Sequence, residues 1–119
     1  MKPRFRGGIN IAVKVPDHQF DATLAFYRDV LGLEQVEVDG DSRAFAFGAN
    51  RLWLDPMPSL SKSEIWLELE TENTSTAAEY FAKQGVARRD GVEAIPADVD
   101  GFWVCDPASN ILLIHANDK

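Results

Sequence analysis

The run Gly101-Phe102-Trp103-Val104-Cys105-Asp106-Pro107-Ala108-Ser109-Asn110-Ile111-Leu112-Leu113-Ile114-His115 sets the architecture expected of this 119-residue chain. Two segments rich in β-formers flank Asp-Pro-Ala-Ser-Asn, which is turn chemistry: Pro fixes φ at a turn's second position and Asn tolerates the left-handed region that ends it. The run reads as a β-hairpin. Its single cysteine, Cys105, has no partner for an internal disulfide and reads as a small buried hydrophobe on a strand, as suits a reducing cytoplasm.

Upstream of the hairpin the pattern repeats. Ile9 to Val15 alternates, with Ile11, Val13 and Val15 on the core face and Asn10, Ala12 and Lys14 on the other. A helix is expected from about Phe20 to Leu31, because Phe20, Leu24, Tyr27 and Leu31 recur at helical spacing, and Gly32 stands where a left-handed stop is wanted. Strands over Gln35 to Val38 and Arg43 to Phe47 join through Asp39-Gly40-Asp41, and Arg51 to Asp55 follows as a third. The Pro- and Ser-rich segment 56–63 reads as the linker.

Glu64 to Glu70 alternates again, with Ile65, Leu67 and Leu69 opposite Glu64, Trp66 and Glu68. Thr74 to Gln84 is the second helix, with Thr76 and Glu79 at capping-box spacing and Gly85 beyond its end. Val92 to Ile95, the stretch around Trp103 and Ile111 to His115 complete three more strands. Asn10 precedes the pair Phe26-Tyr27 by the same interval as Glu64 precedes Tyr80-Phe81. The reading is therefore α+β, two βαβββ units (about 8–55 and 64–116) in a single domain over 1–119, and each unit needs a partner to cover its open sheet face.

Composition narrows the function. A net charge of −7 disfavours nucleic acid and anionic membrane as partners, since both demand a basic field. The apolar run near the start stops at Lys14, too short for a signal peptide or a membrane span. A cytoplasmic protein is expected.

The first strand Asn10-Ile11-Ala12-Val13-Lys14-Val15-Pro16-Asp17, the helix Leu24-Ala25-Phe26-Tyr27-Arg28-Asp29-Val30-Leu31-Gly32-Leu33 and the Asp106-Pro107 to Asn110 ending together resemble the vicinal oxygen chelate superfamily of glyoxalases, bleomycin resistance proteins and extradiol dioxygenases. Between Asp17 and Phe26 this chain carries about two extra residues. The resemblance covers nearly the whole chain and implies paired βαβββ units curled into an open half-barrel around a cavity, usually in a homodimer. It also implies a divalent metal held at four positions, commonly His, Glu, His and Glu, which fall here on Asn10, Trp53, Glu64 and Leu113. Trp and Leu offer no donor and Asn only a neutral amide oxygen, whereas such an ion wants three or four N or O ligands. No metal and no other cofactor is expected.

In place of ligands the matched region offers indole. Trp53 and Trp66 lie on the faces that alternation assigns to the cavity, with Trp103 nearby, so they either line a site for a planar, partly apolar ligand or fill the core or dimer interface. Asn10, Arg51, Trp53, Glu64, Trp66 and Leu113 are the expected ligand-binding residues, and Lys14, Asp55, Glu68 and His115 stand ready to orient polar edges. The expectation is metal-independent capture of a small aromatic or amphipathic compound, in the manner of a resistance protein, rather than catalysis. The alternative is a lyase, isomerase or dioxygenase-like enzyme with a non-standard site, for which Glu64, Glu68 and His115 are the catalytic candidates. Either reading is distinct from a small dimer with a closed cavity and an interaction role.

Overall fold

The computed structural model describes residues 2–116. Its elements, in chain order, are β1 (Arg6–Gly7), β2 (Asn10–Pro16), α1 (Asp17–Ala25) with a π-helical turn over Phe26–Val30, β3 (Gln35–Val36), β4 (Arg43–Phe47), β5 (Asn50–Met57), β6 (Glu64–Thr71), α2 (Thr74–Lys83), β7 (Gly101–Cys105) and β8 (Ile111–Ala116). The fold class is α+β, as expected. The chain divides into two compact units: residues 9–66, and residues 67–116 together with 2–8.

In the N-terminal unit the strands run β3-β4-β5-β2, with β2 parallel to β5 and the start of β6 antiparallel to β2. One face of this sheet is apolar because the alternation places Val13, Val15, Leu52 and Leu54 together, joined by Phe45. Phe20, Leu24 and Tyr27 of the helical segment pack on them. Phe45 and Leu54 are fully buried, and burying side chains of this size contributes about 1.5–3 kcal/mol each.

The C-terminal unit repeats the order. Its strands run β1-β6-β8-β7, with β6 parallel to β8. Phe102, Val104 and Ile114 face Ala77 of α2, and Phe5, Leu69 and Phe81 close around them. The Asp106–Asn110 turn forms, although Ser109 and not Asn110 takes the left-handed region, at φ +71°; the Asp106 carboxylate accepts from the backbone N–H of Ala108 and Asn110 and from the Asn110 side chain.

Several local expectations are corrected. Val92 to Ile95 forms no strand. Asp90-Gly91 turns the chain there, Val92 N–H donates to Arg89 O, and the Glu93 carbonyl accepts from the Trp103 indole rather than from a ladder partner. The third strand position of this unit is instead taken by an isolated bridge of Arg88 with Val104.

The first helix starts at Asp17, three residues early, because Pro16 at φ −55° already directs the chain into it. His18 is therefore an exposed residue of α1. The last turn widens to π geometry, with Leu31 N–H donating to Phe26 O; such a turn absorbs additional residues within a helix. Asn73, and not a Thr76–Glu79 box, caps α2: its Oδ1 accepts from Thr76 N–H at 2.9 Å.

Pro56 and Met57, expected in the linker, extend β5 beside Val15 and Pro16. The pairing of β5 with β4 ends at Leu54, so β5 has one neighbour beyond it, where proline is tolerated. Finally, the N-terminal segment adds a strand that alternation did not reveal. β1 pairs with β6, Phe5 packs on Phe81 with ring centroids 5.1 Å apart, and Thr71 Oγ1 donates to Arg4 O. No helix among the described residues is long and apolar enough to cross a membrane.

Candidate functional site on the helix-free sheet faces

Each helix covers one sheet face, so the alternate residues of every strand are left for other work. On β2, β5 and the start of β6 these are Asn10, Lys14, Arg51, Trp53, Asp55, Glu64 and Trp66. Cross-strand pairing sets Lys14 beside both Asp55 and Glu64. Asn10 and Trp53, two of the four positions matched to metal ligands, meet directly: the Trp53 indole N–H donates to Asn10 Oδ1 at 2.8 Å. The third, Glu64, accepts from the Trp66 indole at 2.9 Å. Arg51 is exposed beside Asn10.

Lys14 is the residue that sequence reasoning undervalued. It is only 3% exposed, its Nζ lies 2.7 Å from Asp55 Oδ2, and the ammonium stands 4.3 Å from the centroid of the Trp66 ring. A buried lysine costs several kcal/mol unless its charge is met, and a carboxylate with a ring face meets it. Its place on the same face as Asn10, mid-strand among buried valines, was the available signal.

Trp66 is buried, at 5% exposure, and forms a wall. Trp53 is half-buried.

In the C-terminal unit the corresponding face carries two rows. Glu68, Leu113 and Trp103 are neighbours across β6, β8 and β7, and Glu70, His115 and Gly101 form the next row. Leu113, the fourth matched position, is half-buried. Trp103 is 6% exposed, and its indole N–H is satisfied by Glu93 O at 2.9 Å. Glu68 and His115 come together, with Oε2 and Nε2 3.0 Å apart and side chains 11% and 16% exposed. The approach lacks hydrogen-bond alignment at Nε2, while Nδ1 faces the Ala116 carbonyl at 3.3 Å. Arg6 on β1 pairs with Glu70 at 3.2 Å.

Two glycines frame this arrangement. A Cβ on Gly8 would collide with the Glu68 carboxylate, and one on Gly101 would lie 2.7 Å from Ile114 O and 3.1 Å from His115 Cβ.

The donor set does not fit a divalent cation at the matched positions. One carboxylate, one amide oxygen already accepting an indole proton, an indole and an isobutyl group fall short of three donors. Among the described residues no group of three or more His, Cys, Asp and Glu side chains stands close enough to hold a metal ion. On the helix side, a groove of about 380 Å³ is lined by Gln19, Ala22, Thr23, Phe26 and Tyr27, with no carboxylate, imidazole or amine.

No protein-family model and no curated protein matches the chain. Solved structures do. A glyoxalase from Novosphingobium aromaticivorans, determined in its Mn(II)-bound form, is 23% identical over 97% of this chain with a TM-score of 0.66. This chain spans only 40% of that protein's length. Methylmalonyl-CoA epimerase from Mycobacterium tuberculosis is 16% identical with a TM-score of 0.62, covering 95% of this chain and 89% of the epimerase. Homoprotocatechuate 2,3-dioxygenase from Brevibacterium fuscum, in complex with 3,4-dihydroxyphenylacetate, is 19% identical with a TM-score of 0.63 over 97% of this chain and 37% of its own.

Paired βαβββ units with these neighbours define the class: this is the fold shared by glyoxalases, epimerases and extradiol dioxygenases. The chain has the architecture of the vicinal oxygen chelate superfamily.

Proposed function

We propose that this protein binds a small, planar, partly apolar compound on the helix-free sheet face of the N-terminal unit, without a divalent metal, and releases it unchanged. The observation that carries the reading is the Trp53–Asn10 hydrogen bond of 2.8 Å. Two of the four positions that the resemblance matches to metal ligands are committed to one another. Trp53 offers the stacking surface, and Arg51 and Asp55 beside it supply polar contacts of both signs. A homodimer completes the proposal, in a cytoplasmic setting.

Tryptophan fluorescence titrated with a planar aromatic compound tests the reading. Saturable quenching in the parent, weakened at least about tenfold by Trp53→Ala, is expected, since one lost aromatic contact of roughly 1.4 kcal/mol is a factor of ten. An unresponsive parent defeats it. Elemental analysis of protein purified without chelator is the second arm: stoichiometric manganese, iron, nickel or zinc would replace capture with the enzyme reading.

A further inference from the structure

We propose, building on the binding reading above, that the compound held on the helix-free face of the N-terminal unit is a planar aromatic acid whose anionic group is met by Arg51.

A hydrogen bond sets the sign of the charge. On β5, Arg51, Trp53 and Asp55 share this face, so the indole has a cation on one side and a carboxylate on the other, each two positions and about 7 Å away along the strand. The ring cannot lie toward both. Its N–H donates to Asn10 Oδ1 at 2.8 Å, and Asn10 is the direct cross-strand partner of Arg51, whereas Trp53 itself pairs with Ala12. The indole is therefore turned along the strand toward the Arg51 row and away from Asp55. The carboxylates at the other end are engaged: Asp55 holds the Lys14 ammonium at 2.7 Å, and Glu64 accepts the Trp66 indole N–H at 2.9 Å. Arg51 is exposed.

The flanking strands leave room for a ligand at this pair. Trp53 stands between Ala12 on β2 and Ala44 on β4, and Arg51 between Asn10 and Ala46. Three of these four neighbours carry only a methyl group. A ring laid on the indole directs its edge to the guanidinium, whose planar fork of donors matches a carboxylate in a bidentate pair. The net charge of −7 opposes an anion at long range, but that field is screened over about 8 Å at physiological ionic strength. The contact with Arg51 is direct and outweighs it.

Three probes of one shape and different charge test the assignment: 2-naphthoate, 2-naphthamide and naphthalene-2-carboxamidine, titrated calorimetrically into the full-length protein at neutral pH. The parent should bind the carboxylate at least about fivefold more tightly than the amide, the scale of a charge pair at an exposed site, and should bind the cationic amidine most weakly. In folded Arg51→Gln the carboxylate should lose its advantage over the amide. Arg51→Lys, which keeps the charge without the fork, should retain part of it. A parent that binds the amidine most tightly, or all three alike, overturns the assignment of an acid and leaves planar capture standing. A carboxylate preference that survives in Arg51→Gln overturns it too. Failure of all three probes to bind counts against capture and charge preference together.

Discussion

Replacing Lys14 by methionine removes a charge that the N-terminal unit has gone to some length to accommodate. The ammonium is 3% exposed, 2.7 Å from Asp55 Oδ2 and 4.3 Å from the Trp66 ring centroid. Methionine preserves most of the stem's packing, so the principal loss is electrostatic: the Asp55 carboxylate, 17% exposed, keeps its charge and loses this partner. Breaking a buried pair from one side costs about 3–5 kcal/mol, and the residual access of water to Asp55 trims this to roughly 2–4 kcal/mol. For a domain of this size that corresponds to a fall in Tm on the order of 10 °C.

Calorimetry of the parent, Lys14→Met, Asp55→Leu and the double variant completes a cycle that isolates the pair from Lys14's other contacts. The double variant should recover much of the loss, because two apolar side chains of similar volume replace a desolvated ion pair at little cost. A Lys14→Met protein that melts within a degree or two of the parent, or single costs that simply add, would refute the reasoning.

Two further outcomes follow from local geometry. Gly101→Ala should lower stability by about 1–3 kcal/mol, since the new Cβ would lie 2.7 Å from a backbone oxygen of β8; urea denaturation that leaves the midpoint unchanged would contradict it. The Asn110 side-chain amide, followed by the backbone N–H of Asn110 and that of Ala108, holds the Asp106 carboxyl below its ordinary range. A depressed folded-state value means that the turn's contribution is present above the unfolded carboxylate value and is lost as pH falls through the folded one. Asp106→Asn should therefore be less stable than the parent at neutral pH, and the gap should close in acid, which thermal melts across that range will show.

The α+β class, the paired units and the strand that carries each tryptophan were legible because period-two and helical alternation are local properties of the chain. Val13, Val15, Leu52 and Leu54 announced a buried face by spacing alone. That Trp53 and Leu113 carry no side-chain donor for a divalent cation was equally plain from their identities. Val92 to Ile95 failed for a reason outside its own residues, namely the Trp103 indole's claim on the Glu93 carbonyl. Alternation likewise gave no hint that residues 2–8 would pair with a strand some sixty positions later.

Sequence by itself thus determined which residues share a face and which chemistry they lack, because both follow from side-chain identity and backbone period. Tertiary structure decided which of them touch. The Asn10–Trp53 hydrogen bond, the burial of Lys14 against Asp55 and Trp66, and the approach of Glu68 to His115 over Gly8 depend on register between strands distant in the chain. Register is set by turns and core packing acting together, and a slip of one residue would turn every one of these side chains to the opposite face.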